Sequence, residues 1–89
     1  MTELNKQKIF WHSRRGMLEL DLLLVPFATE VFENLSTENQ LLYRDLLAEE
    51  DQDLWNWFLE RVEPSEARFK SMIERILAHK ANQVHAGSS

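Results

Sequence analysis

A chain of 89 residues with 44% hydrophobic content can build one small core and not two. Its 2 glycines and 2 prolines leave little turn chemistry for a multi-stranded sheet, and with 0 cysteines neither disulfides nor thiolate metal sites can hold it together. The net charge of −5 is uneven, since Lys6, Lys8, Arg14 and Arg15 against Glu3 make residues 1–16 basic while the remainder is strongly acidic; this disfavours nucleic acid and suits a protein partner with a complementary patch.

The longest apolar run, Leu22 to Val25, is far too short to insert in a membrane. The first residues, Glu3 among them, pass directly into patterned sequence, unlike an organelle transit peptide, so the protein is expected to stay where it is made.

Residues 3–14 contain no breaker and predict a first helix carrying Leu4, Ile9, Phe10 and Trp11. Leu4 and Trp11 share a stripe and the other two lie to either side, so either the bundle wraps this helix on two sides or an aromatic is left for a partner. Gly16 after Arg14 and Arg15 matches a helix stop, with cations in the last turn and a left-handed glycine beyond. Composition alone leaves this corner divided between a cap and a binding site.

A second helix is predicted from Met17 to Glu33 or Asn34. Met17, Leu20, Leu23, Leu24, Phe27 and Val31 form one face, and Leu18, Leu22, Val25 and Phe32 the opposite one, the pattern of a surrounded helix. Glu19, Glu30 and Glu33, with Pro26 beside them, form the stripe expected to see water. Pro26 removes one backbone donor and predicts a kink without a break.

Ser36 or Thr37 is a good N-cap, and Gln40 stands three residues after Thr37 as in a capping box. The third helix is predicted to run to about Ala48, with Leu41, Leu42, Leu46 and Leu47 inward and Tyr43 and Arg44 at the rim. The acidic stretch Glu49–Asp53 suits the start of a fourth helix, from 51–53 to 61, and lacks the glycine and glutamate spacing of a calcium loop. Leu54, Trp55, Trp57, Phe58 and Val62 exceed what one face can cover, which leaves a tryptophan partly exposed. Pro64 is placed as the first residue of a fifth helix. There Phe69, Met72, Ile73, Ile76 and Leu77 make a core face, and Arg68, Lys70, Glu74, Arg75 and Lys80 a solvated one. The tail 81–89 is expected to fray. The resulting picture is one all-α domain, residues 1–89, ordered from about 4 to 80: a compact five-helix bundle around a central, proline-kinked second helix.

Catalytic furniture is sparse. The chain has no Gly-rich phosphate cradle and no histidine pair four residues apart; His12, His79 and His85 are scattered, and His12 and Ser13 point in different directions on a helix. The residues therefore describe a non-enzymatic interaction module, with no metal and no stably bound cofactor.

Trp11 through Phe27, with Arg15-Gly16-Met17-Leu18-Glu19 at its centre and Pro26-Phe27 at its end, resembles the small flavinylation factors of succinate dehydrogenase, the SdhE/YgfY family. Asp51-Gln52-Asp53-Leu54-Trp55-Asn56-Trp57 looks like that family's Asp-x-Asp-Leu-x-x-Trp segment. The resemblance implies an assembly chaperone in the bacterial cytoplasm that binds the flavoprotein subunit of succinate dehydrogenase, and of fumarate reductase where present; a monomer that pairs with one partner is the simplest reading. It implies promotion of covalent FAD attachment to that subunit, FAD being the client's cofactor. By the same resemblance Arg15, Gly16 and Glu19 are the partner-binding motif, flanked by Arg14 and Trp11. Gly16 is expected to allow close approach, Arg15 to offer a donor fork and Glu19 an acceptor. An antitoxin acting by protein–protein binding is the rival reading, although the chain shows neither a DNA-binding region nor a disordered arm.

Overall fold

The fold is built outward from a helix with too many large apolar side chains for one neighbour to hide. In the computed structural model, which describes the backbone of residues 6–87 and the side chains of residues 7–82, the helices are α1 (Lys6–Ser13), α2 (Leu18–Glu30), α3 (Thr37–Leu46), α4 (Asp51–Phe58) and α5 (Ala67–Gly87). A 3₁₀ turn, Phe32–Asn34, follows α2. No strand occurs among the described residues. The five-helix, all-α bundle is as the periodicity predicts: α2 packs against α1, α4 and α5, and α3 against α5. Leu20, Leu24, Phe27 and Ala28 of α2 are buried, and α2 runs unbroken through Pro26.

The centre is held by two hydroxyls. Ser13 and Tyr43 are both fully buried; Ser13 Oγ lies 2.8 Å from the Ile9 carbonyl and 2.7 Å from the Tyr43 hydroxyl, which in turn lies 3.2 Å from the Leu24 carbonyl. Burial pushes the Tyr43 phenol well above its ordinary range, partly offset by the Ser13 hydrogen bond and by the positive charge of Arg15, so the group is neutral. Phe27 and Phe32 pack against the Tyr43 ring at centroid separations of 5.3 and 5.7 Å. Tyr43 is therefore core and not rim, because its hydroxyl finds partners inside the bundle. Leu41, expected inside, is instead exposed, and Tyr43 takes the central place on α3.

Other boundaries shift for local reasons. Residues 3–5 of the expected first helix lie outside the described residues, as do Ser88 and Ser89 of the tail; the α5 backbone is helical to Gly87, past the expected end of order near 80. The second helix tightens after Glu30 into the 3₁₀ turn, where Gln40 Nε2 donates to the Phe32 carbonyl at 2.9 Å. Gln40 thus serves the preceding turn and not a capping box; of the two candidate caps it is Ser36 whose Oγ accepts from the Asn39 amide. Pro64 does not open the fifth helix, which begins at Ala67. The link first has to bring α5 back against α4, where Phe69 stacks on Trp57 at 5.9 Å. Trp57 is buried and Trp55 half-buried, as the excess of aromatics in α4 requires. At the far end of α2, His79 on α5 lies 3.1 Å from Glu30 and meets the Phe27 ring edge-on.

α4 ends in a Schellman turn: the Glu60 amide donates to Trp57 and the Arg61 amide to Asn56, both at 3.0 Å. Glu60 sits at φ 61°, the left-handed position that glycine fills most cheaply. Glu60→Gly is expected to stabilise the protein by about 0.5–1 kcal/mol, read as a raised midpoint in urea unfolding. A second prediction concerns Asp45 on α3. Partial burial would raise its carboxyl pKa, but hydrogen bonds from Arg68 on α5 (2.9 Å) and Arg44 (3.1 Å) overcome this and hold it below its usual 3.8. A lowered folded pKa means stability that is fully present above the unfolded pKa of 3.8 and lost as pH falls from there through the folded value. Asp45→Asn should therefore cost about 0.2–1 kcal/mol at neutral pH, and the gap from wild type should close below about pH 4 in paired urea titrations.

Candidate partner-binding corner

α1 ends at Ser13, so Arg14 and Arg15 follow the helix and do not occupy its last turn. Gly16 has no positive φ. The left-handed glycine cap expected here is absent because the Arg15 side chain does the capping. Its Nη1 donates to the carbonyls of His12 and Leu47, both at 2.9 Å, its Nη2 to the carbonyl of Glu49 at 2.7 Å, and its Nε to Asp51 Oδ1 at 2.6 Å. Leu47 closes α3 and Asp51 opens α4, so one guanidinium covers the negative ends of two helices and pairs with the carboxylate at the start of a third. The Arg15 amide adds a fourth element by donating to Asp21 Oδ1, in the first turn of α2.

This arrangement changes the role expected of Arg15. Four of its five N–H donors are engaged within the chain, and its side chain is only 14% exposed. What reaches solvent is the residue beside it. Gly16 is exposed, and a Cβ added there would meet only Asp51 Oδ2, at an ordinary contact distance of 3.8 Å. Neither backbone conformation nor internal packing demands a glycine at this position. Glu19, in the first turn of α2, is exposed and, among the described residues, has no ion pair. Arg14 and Trp11 are exposed too, Trp11 to 63%, while Ile9 and Phe10 turn inward; the first helix does leave an aromatic on the surface.

Two features escape a reading of the sequence. Asp21 and Asp51 position the corner, and Asp21 could have been suspected: it lies about 200° round α2 from Glu19, off the acidic stripe. The other is apolar. Leu18 and Leu22, placed on a buried face by the wheel, are 68% and 51% exposed, so α2 is covered on fewer sides than its composition suggests. Leu22 joins Trp55, Leu59 and Leu77 in lining a groove between α2, α4 and α5, with Glu19 and Lys80 on its walls.

The bend thus sets an open glycine and an exposed carboxylate, unpaired among the described residues, beside an apolar groove on an all-helical scaffold. The chain belongs to the family described as "Flavinator of succinate dehydrogenase", whose sequence profile matches residues 7–80. It is 51% identical over 75 residues to the FAD assembly factor SdhE of Pseudomonas aeruginosa, covering 84% of this chain and 89% of that one. Against the FAD assembly factor SdhE of Pseudomonas putida the identity is 53% over 76 residues, 85% of this chain and 88% of the relative. The protein of the same name from Vibrio vulnificus is 39% identical over 79 residues, 89% of this chain and 92% of the relative.

Because Arg15 satisfies carbonyls that would otherwise be stranded, Arg15→Lys is expected to destabilise the fold by about 2 kcal/mol: a point charge cannot replace a planar fork with four acceptors. Urea unfolding of the variant beside wild type measures the loss.

Proposed function

We propose that this protein is an assembly factor that holds the flavoprotein subunit of succinate dehydrogenase while FAD becomes covalently attached to it, and that it does so as a monomer in the cytoplasm. Fumarate reductase, which also has a flavoprotein subunit, is proposed as a second client. The attachment chemistry belongs to the client and its flavin. This chain contributes orientation, keeping the client in a geometry where bound FAD and the client's acceptor side chain meet productively. No FAD is held by the chain itself in this scheme.

The observation that carries the reading is Gly16: an exposed glycine, unneeded by the fold, held still by the Arg15 and Asp51 clamp beside it. A surface glycine of that kind suits the close approach of a partner backbone, with Glu19 as an acceptor one turn on. Arg15 then acts as the positioning residue of the corner, Gly16 and Glu19 as its contact residues, and Arg14 and Trp11 as its flank. Family membership and the names of the relatives agree in direction with this geometry.

Gly16→Leu tests it. The added side chain has room on the folded protein, so thermal unfolding should match wild type within about 1 kcal/mol, while covalent flavin on the client, read by flavin fluorescence under denaturing conditions, should fall about tenfold or more. Normal covalent flavin with this variant would remove the corner as the working surface.

A further inference from the structure

The corner offers a partner too little to grip. Specific protein interfaces bury roughly 1,200–2,000 Å² in total, far beyond what one glycine and one carboxylate supply. The groove between α2, α4 and α5 adjoins the corner through a shared residue, because Glu19 belongs to both. Leu22, 51% exposed, and Leu59, 39% exposed, stand at its edge with Trp55 and Leu77 half-buried beneath. Single exposed leucines are common on monomers, but a run contiguous with a charged corner has the composition of an interface. Its two charged residues are of opposite sign: Glu19 on α2 and Lys80 on α5, neither ion-paired among the described residues.

We propose that this groove is the second half of the client-docking surface and takes a helical segment of the flavoprotein, an apolar stripe flanked by a cation facing Glu19 and a carboxylate facing Lys80. The inference rests on the assembly-factor reading above. A helix is the fitting occupant because the groove lies between helices, and no strand edge exists among the described residues for an extended peptide to extend. The opposed charges give the segment a direction, so the groove would set the register in which Gly16 meets the client. An anionic membrane surface is a poor alternative for a face on the acidic body of the chain.

The test titrates the purified flavoprotein subunit of succinate dehydrogenase, without covalent flavin, with wild type, Leu22→Glu and Lys80→Glu, alongside circular-dichroism melts and light scattering. The expected result is binding weakened about tenfold by Leu22→Glu and about threefold by Lys80→Glu, with wild-type melts, since both side chains reach solvent. Wild-type binding that both variants reproduce within about twofold overturns the groove and leaves the Gly16 corner standing. A wild-type dimer that Leu22→Glu dissociates, with client binding untouched, makes a second copy the occupant and also overturns the proposal. If wild type itself neither binds the subunit nor raises its covalent flavin, the assembly-factor reading falls and the groove inference with it.

Discussion

One guanidinium holds this bundle's joints in place. Arg15 donates to the last carbonyls of α1 and α3, to the turn before α4 and to the first carboxylate of α4, while its own amide reaches Asp21 at the start of α2. Helix ends carry unsatisfied backbone groups that must find partners when removed from water, and in a chain this small three such carbonyls, of His12, Leu47 and Glu49, converge within reach of a single side chain. An arginine suits the task because its fork is planar and always charged. The angles between α1, α2, α3 and α4 are thus coupled through one residue.

The same bonds fasten the bend that carries Gly16. Gly16 follows Arg15 directly, and its open face is aimed by bonds made on the inner side of the same bend. A second support stands behind it: Ser13, the last residue of α1, is tied to Tyr43 in the core, so the helix that leads into the bend cannot roll. The apolar groove starts where the bend ends, and two of its three walls, α2 and α4, are helices that Arg15 ties. A substitution at Arg15 therefore acts on the fold, while the space beside Gly16 leaves room for a side chain there without disturbing it.

The reversal at α2 shows how a helical wheel misleads. Leu18 and Leu22 sit opposite Leu20 and Leu24, and by hydrophobicity alone both pairs belong inside. Among the described residues only four other α-helices are available, α3 is occupied against α5, and the two leucines are left facing water. A helix apolar on two sides can be central to a fold and still present one of those sides to a partner. The opposite error occurred at Tyr43, whose polar tip suggested a rim position until Ser13 and the Leu24 carbonyl supplied it with internal partners.

Local patterns in the chain were enough for the number and order of helices and the core face of α5, and they narrowed the cap of α3 to Ser36 or Thr37, because these depend on periodicity and on neighbours three or four residues away. The same patterns, with the Arg15-Gly16-Met17-Leu18-Glu19 and Asp51–Trp57 segments, were enough for the family. Only the tertiary structure decided how those residues are placed. That Arg15 turns inward and leaves Gly16 and Glu19 to the surface depends on Leu47, Glu49 and Asp51 arriving from more than thirty residues away. No spacing rule reaches so far along a chain: which carbonyls an arginine satisfies, and which leucines stay wet, follows from how the helices pack.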